Sequence, residues 1–200
     1  MTVTATEVFR RRAEPGAALA DHAGTIAAAC HAMAARFHRG GRLFTFGTGG
    51  AATDAQHVAV EFVHPVIVGK RALPALSLTG DVATLTGVGA DAGFDEIFAH
   101  QLGCFGGPDD MALGISQDGR CGSVRRGLER ARELGMLTVA LSGGGTAPAG
   151  LAGLADHLVT VPSDDPRVVK EVHVTAYHVL WELVHVFLER PDVLSEGAHP

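Results

Sequence analysis

Short apolar runs that alternate with helical patterns limit the fold of this chain more than any other feature. Most of these runs lack alternation of polar and apolar residues, and they read RLFTFG, ALPALSLT, DMALGIS, LTVALSG and DHLVTVP. Strands that are apolar throughout are typical of a parallel sheet covered on both faces. Because helical patterns lie between the runs, the sequence predicts an α/β fold, a doubly wound five-stranded parallel sheet with helices on both faces.

Both ends of the chain are predicted to be helical. Residues 17–38 are rich in alanine with apolar positions at helical spacing, and Gly40-Gly41 stops that helix. An earlier short helix is expected to end at Pro15-Gly16, and one long helix to run from about Arg167 to Arg190, ending at Pro191. We therefore expect a single domain over residues 1–200, with a core over about 20–190 and a loose tail over 191–200.

Composition excludes several classes of protein. The chain has 200 residues, 46% of them hydrophobic, with a net charge of -6 and a pI near 6.0, which argues against nucleic acid or an anionic membrane surface as the main partner. Neither a run of about 20 apolar residues nor a secretion signal is present, so a cytoplasmic location is expected. Cys30, Cys104 and Cys121 lack the C-x-x-C spacing of a thiolate metal site and are expected to be reduced.

Two glycine-bearing turns follow predicted strands, one after Phe46 and one after Ile115. In open α/β sheets, ligands bind beyond the carboxyl ends of the strands. The second turn, SQDGRCGS, leads into a helix, whose first backbone N–H groups favour an anion, although Asp118 brings its own negative charge there. The first turn, GTGGAA, superficially resembles a dinucleotide fingerprint. No acidic residue ends a second strand about 20 residues later, so we reject a dinucleotide site.

Three groups of side chains are candidates for chemistry. His57 and Glu61 are four residues apart and share one face of a helix, which suits a metal site, a base with its partner, or an incidental hydrogen-bonded pair. The apolar C-terminal helix carries histidines that are either core residues or functional groups, namely His173, His178 and His185. The segment GADAGFDEIF carries acids that either form a turn and a helix start or face a ligand, namely Asp91, Asp95 and Glu96.

A set of motifs spread in order over residues 20–190 resembles the sugar isomerase (SIS) domain family, specifically its phosphoheptose isomerases. The motifs are FGTGGAATDAQHVAVE, GADAGFDEIF, LGISQDGRCGSV, GMLTVALSG and KEVHVTAYH. The resemblance implies a flavodoxin-like, three-layer SIS domain with long N- and C-terminal helices. It also implies a homotetramer with active sites between subunits. The implied reaction isomerises sedoheptulose 7-phosphate to a heptose phosphate by moving a proton between C1 and C2 through an enediol.

The resemblance also implies roles for individual residues. His57, Glu61 and His178 match the ligands of a zinc ion, while Glu61 and His178 match the catalytic base and acid. Such an assignment makes chemical sense, because a carboxylate can abstract the proton while a histidine or zinc stabilises the enediolate oxygen. The residues implied to bind the substrate are Thr48, Gly49, Gly50, Asp91, Ser116, Gln117, Asp118, Gly119, Arg120, Cys121 and Lys170.

Several of these positions depart from the family pattern. An asparagine and a serine of the first glycine turn are replaced here by Thr48 and Ala51, and only Ser116 and Gly119 remain from the family's second loop, Ser-Thr-Ser-Gly-Asn-Ser. The fourth metal-binding position, a glutamine in the family, is Lys170, whose positive charge would repel zinc unless it turns away or loses its proton.

We therefore expect an isomerase of the phosphoheptose type whose substrate recognition is altered near the phosphate. Its partners are an anionic sugar or sugar derivative and further copies of itself, with Arg120 or Lys170 as sources of positive charge. The alternative is a non-catalytic SIS module that binds a sugar derivative or a partner protein. A third reading is an isomerase of an unphosphorylated or nucleotide-linked sugar.

Overall fold

A computed structural model describes residues 3–144 and 150–195 of the chain. Its strands are β1 (Leu43–Gly47), β2 (Ala75–Ser77), β3 (Met111–Ser116), β4 (Leu137–Ser142) and β5 (His157–Thr160). They form one sheet in the order β2-β1-β3-β4-β5, and every neighbouring pair is parallel. All residues of β1, β3 and β4 are buried, as their apolar runs predict. The predicted five-stranded parallel sheet is therefore confirmed.

Helices connect and flank the strands. They are α1 (Ala5–Ala17), α2 (Ala23–His38), α3 (Gly50–Val63), α4 (Val82–Asp91), α5 (Ile97–Phe105), α6 (Gly122–Glu133), α7 (Pro166–Leu188) and α8 (Pro191–Ser195). Two 3₁₀ segments, Ala18–His22 and Phe94–Glu96, join neighbouring helices. Asp81 caps α4 and Asp165 caps α7, each through a side-chain oxygen that accepts a backbone N–H, as expected of aspartate at a helix start.

The sheet separates two hydrophobic cores. Side chains of the first core come from α2, α3 and α7 and meet alternate strand residues such as Leu113 and Ile115. Side chains of the second core come from α5 and α6 and meet the strand residues on the opposite face of the sheet, such as Phe44 and Phe46. Because neighbouring residues of a strand point to opposite faces, each buried strand supplies both cores. The result is the predicted three-layer arrangement.

Two terminal predictions need correction. Residues 17–38 do not form one helix, because α1 continues past Pro15 to Ala17 and a 3₁₀ segment precedes α2. In α1 no residue is buried, whereas α2 buries six, and Leu19 in the 3₁₀ segment between them packs in the first core. The predicted loose tail begins instead as the short helix α8, held by a contact of 3.1 Å between His31 Nε2 and the Val193 carbonyl. Residues 196–200 lie outside the described part.

The strand order creates a crevice between β1 and β3. The chain leaves β1 toward β2 on one side, whereas β3 leads to β4 on the other side. At such a switch point the loops diverge beyond the carboxyl ends of the strands and leave room for a ligand. Gly47 and Ile115 are paired at the ends of these two strands, so the two glycine-bearing turns flank this crevice.

Candidate active site

A cleft of about 370 Å³ lies at the switch point. It is lined by Thr48, Ala51, Ser116, Gln117, Asp118, Cys121, Gly144, Ser163, Asp164 and Pro166. Thr48 and Ala51 come from the turn after β1 and the start of α3, and the next four residues come from the end of β3 and the turn after it. Ser163 and Asp164 come from the turn between β5 and α7 and Pro166 from the start of α7, a contribution that was not predicted from the sequence. The β5–α7 turn also follows a strand end in the sequence, and that position is the signal that could have found it.

The turn after β1 places Thr48 in the cleft. Gly49 adopts φ +57°, a left-handed conformation that favours glycine, and Gly50 then begins α3. Thr48 Oγ1 lies 3.2 Å from Cys121 Sγ, so the two turns meet through side chains. Cys121 precedes the first residue of α6, and its Sγ also lies 3.3 Å from Ser123 Oγ. The thiol therefore belongs to a small polar chain at the start of α6.

The turn after β3 satisfies part of its own backbone. Ser116 Oγ accepts a hydrogen bond of 3.0 Å from the N–H of Gly119, whose φ of +72° again favours glycine. Asp118 Oδ1 accepts a second bond of 3.0 Å from the N–H of Arg120. Two of the backbone donors that could hold an external anion are therefore bonded to side chains of the same loop.

The charge of the cleft differs from what an anionic ligand would need. Asp118 and Asp164 line it, and no lysine or arginine lies among the lining residues of the described chain. Arg120 is exposed and is not part of the lining. Positive charge therefore comes from the remaining backbone N–H groups and the start of α6 rather than from cationic side chains.

His57, Glu61 and His178 form a cluster between α3 and α7. Glu61 Oε1 lies 3.1 Å from His57 Nε2 and 3.9 Å from His178 Nε2, and one ligand atom from each residue falls within 4.8 Å of the others. Glu61 is buried, and its Oε2 has no hydrogen-bond partner among the described residues. Two imidazoles and a carboxylate are a typical donor set for zinc, and a cation would satisfy the orphaned oxygen. The residues present therefore fit a metal ion.

The hydrogen bonds of His178 fix which ring nitrogen is free. Its Nδ1 lies 2.8 Å from the Val174 carbonyl, which can only accept, so Nδ1 carries the hydrogen. In the neutral ring, Nε2 then has a lone pair, and this is the nitrogen that faces Glu61. His57 is held differently, because its Nδ1 lies 2.9 Å from the Tyr177 hydroxyl. Each histidine thus has an ordered partner on its outer nitrogen.

Lys170 is bonded to the first turns of α3. Its Nζ donates to the Gly50 carbonyl at 2.9 Å, to Thr53 Oγ1 at 3.1 Å and to Asp54 Oδ1 at 2.6 Å. An ammonium has three hydrogens, so all of them are used here. The cation is neutralised by Asp54, whose side chain is only 6% exposed. The expected conflict between Lys170 and a metal is thereby reduced.

The sequence analysis missed Asp54, Tyr177 and the surroundings of His173. Asp54 lies three residues before His57 on the same helix face, and Tyr177 directly precedes His178, so helical spacing was the available signal. His173 lines a cavity of about 30 Å³ together with Gly50, Ala51, Asp54, Gln117, Val169 and Lys170. Its Nε2 is buried without a hydrogen-bond partner in the described chain. Burial lowers the pKa of His173 to about 4, partly opposed by a hydrogen bond to the backbone of Ser142.

The other candidates lie elsewhere. His185 is a satisfied core residue, with ring nitrogens 2.8 Å from the Trp181 carbonyl and 3.1 Å from the Arg71 carbonyl. Asp91 ends α4, is exposed, and does not line the cleft of the described chain. Glu96 pairs with Arg126 at 2.9 Å.

A crevice at the switch point of a parallel sheet, with a carboxylate between two imidazoles nearby, defines an α/β protein equipped for ligand binding and proton transfer. Residues 14–143 match the model of the SIS domain. The chain belongs to the SIS domain family.

Relatives in this family share most of the chain. A phosphoheptose isomerase of Solidesulfovibrio magneticus is 42% identical over 168 residues, 84% of this chain and 81% of the relative. The structure of a phosphoheptose isomerase from Francisella tularensis superposes with a TM-score of 0.85 at 31% identity, covering 90% of this chain and 96% of the other. That of Neisseria gonorrhoeae gives 0.82 at 27% identity, covering 90% and 95%. Among residues 3–144 and 150–195, no helix combines the length and the apolar character that a membrane span requires.

Proposed function

We propose that the protein interconverts a ketose and an aldose phosphate, with sedoheptulose 7-phosphate as the substrate. The observation that carries this proposal is the Glu61 carboxylate held between the imidazoles of His57 and His178. Relatives over most of the chain that are named phosphoheptose isomerases support the choice of sugar.

The distance between the cleft and the cluster suits such a substrate. Ala51 lines the cleft, and His57 lies six residues further along α3, which corresponds to about 9 Å of helix rise. An extended seven-carbon chain spans roughly 8 Å. The spacing along α3 is thus comparable to the length of the sugar, and the proposal places the phosphate at the loop after β3 and the first two carbons at the cluster.

Proton transfer follows from these positions. Glu61 takes the proton from one of the two reacting carbons, and the enediol receives it back on the neighbouring carbon. His178 holds its hydrogen on Nδ1 against the Val174 carbonyl, so the Nε2 lone pair binds the metal when one is present and can otherwise exchange a proton with a substrate oxygen. The remaining backbone N–H groups at the start of α6 bind the phosphate.

The metal in this proposal is zinc, held by His57, Glu61 and His178. When bound, it would polarise the carbonyl oxygen of the sugar as a Lewis acid. The proposed assembly is a homotetramer in the cytoplasm, and sites between subunits would explain why Asp91, exposed in one chain, belongs to the proposed substrate-binding residues. Light scattering on the purified protein tests the assembly.

The decisive experiment compares turnover by the wild type and by Glu61→Gln. We expect formation of heptose phosphate from sedoheptulose 7-phosphate, and a loss of about 10²- to 10⁴-fold in kcat in the variant, since it lacks the base. Glu182→Gln on the exposed face of α7 is the matched control and should keep full activity. Absence of turnover with every sugar phosphate tested contradicts the proposal.

A second function is favoured by the acidic lining of the cleft. In this alternative the chain is a non-catalytic SIS module that binds a sugar derivative, because Asp118 and Asp164 disfavour a phosphate dianion. Thermal unfolding separates the two functions. A rise in melting temperature with an unphosphorylated sugar, and none with its phosphate, supports the second.

A further inference from the structure

The Tyr177 hydroxyl contacts the proposed metal ligand His57. Its oxygen lies 2.9 Å from His57 Nδ1, and the two rings pack edge to face with centroids 5.3 Å apart. Tyr177 is 1% exposed, so its hydroxyl is held in place by the core. Tyr177 therefore lies beside the cluster of His57, Glu61 and His178 and is not among the proposed metal ligands.

The two nitrogens of His57 have different partners. Nε2 lies 3.1 Å from Glu61 Oε1, a carboxylate oxygen that accepts, so Nε2–H donates and Nδ1 is left as an acceptor. The Tyr177 hydroxyl then donates to Nδ1. When a metal occupies Nε2 instead, the hydrogen of the neutral ring is on Nδ1, and the same hydroxyl oxygen accepts it.

A hydroxyl can form a hydrogen bond with Nδ1 whether or not that nitrogen carries the hydrogen, whereas a carbonyl can do so only when Nδ1 is protonated. His178 shows the contrast, because its Nδ1 faces the Val174 carbonyl, which can accept but cannot donate. The hydroxyl of a neutral tyrosine has one hydrogen to donate and lone pairs that accept, so Tyr177 can serve either form of the His57 ring.

We propose that Tyr177 is the positioning residue that orients His57 for metal binding and stabilises the ring in both the metal-free and the metal-bound form. The inference rests on the proposed metal site and adds a residue to it. Partners on the outer nitrogen of a ligating histidine fix its orientation and increase its basicity, and their loss typically lowers metal affinity about 10- to 100-fold.

Tyr177→Phe tests the proposal, because it removes one hydroxyl and keeps the packed ring. Zn²⁺ affinity is measured by competition with a chromogenic chelator, and we expect a loss of about 10-fold or more relative to the wild type. Thr175→Val is the matched control: it removes an exposed hydroxyl from the same helix, and its Zn²⁺ affinity should not change. Thermal unfolding of the metal-free proteins shows whether both variants fold.

Imidazole ¹⁵N spectra of the metal-free proteins supply a readout that a merely structural role would not change. In the wild type, His57 should give the shifts of a ring protonated on Nε2, and Tyr177→Phe should change the shift of Nδ1, which loses its hydrogen-bond donor. A variant that binds Zn²⁺ within twofold of the wild type and has unchanged His57 shifts overturns the role of Tyr177 alone. If the wild type itself binds no Zn²⁺, the metal site and this inference fall together, whereas isomerase activity is decided separately by Glu61→Gln.

Discussion

Acid should destabilise this protein through His173, which is buried between α7 and the sheet. The side chain is 2% exposed, and burial lowers its pKa to about 4, whereas histidine in an unfolded chain has a pKa of about 6.5. Between these two pKa values, His173 is protonated in the unfolded chain and remains neutral in the folded chain. Stability is therefore fully present above pH 6.5, falls as the pH drops toward 4, and reaches a plateau below it.

The size of the effect follows from the difference between the two pKa values. A difference of about 2.5 units corresponds to roughly 3 kcal/mol once acidification is complete, and about 2 kcal/mol of this is lost between about pH 7.5 and about pH 5. Because His173 is only 2% exposed, solvent screens its charge weakly and the full effect on stability is expected.

Urea unfolding followed by circular dichroism measures this loss. His173→Gln cannot titrate, so its free energy of unfolding should fall by about 2 kcal/mol less than that of the wild type between the same two pH values. His38→Gln removes an exposed histidine and should leave the pH dependence of the wild type unchanged. Equal losses in the wild type and His173→Gln would refute the assignment of the acid sensitivity to His173.

Two further results are expected. In a double-mutant cycle of Asp54→Asn and Lys170→Met, urea unfolding should give a coupling energy of about 1 to 3 kcal/mol, because Asp54 is buried while Lys170 is half-exposed. A coupling below about 0.5 kcal/mol contradicts the importance of this ion pair. Iodoacetamide at neutral pH should modify Cys104 and Cys121 but not Cys30, whose pKa is raised to about 12 by burial. Mass spectrometry with bound sugar phosphate should show protection of Cys121 only; equal protection of Cys104 contradicts the placement of the ligand in the cleft.

Much of the fold was predictable because β1, β3 and β4 are mostly apolar and lack polar alternation. Such strands are typical of a sheet covered on both faces, and parallel connections then place the turns after Phe46 and Ile115 on one edge of the sheet. The helix of residues 17–38 was predicted as continuous because helical spacing does not distinguish an α-helix from a short 3₁₀ segment. The 3₁₀ segment contains Leu19, whose packing in the first core is a tertiary contact that local spacing does not show.

The site was predictable in part for a similar reason. His57 and Glu61 share a helix face, so their spacing indicated a pair before the fold was known. The contacts of Tyr177 with His57 and of Lys170 with Asp54 join residues 120 and 116 positions apart. Such contacts arise from the packing of α3 against α7, which local spacing does not determine. The role of Asp91 in substrate binding stays a prediction.

The internal bond of Asp118 has a consequence for the kind of ligand that the loop accepts. The N–H of Arg120 already holds a carboxylate oxygen, so an anion that takes this donor exchanges places with a group of the same charge. The net gain is the difference between two similar contacts, and it is positive only for a ligand that offers the neighbouring amides more oxygens than one carboxylate does. A phosphate monoester has three terminal oxygens and meets this condition when these contacts outweigh the repulsion from Asp118 and Asp164; a single hydroxyl does not meet it.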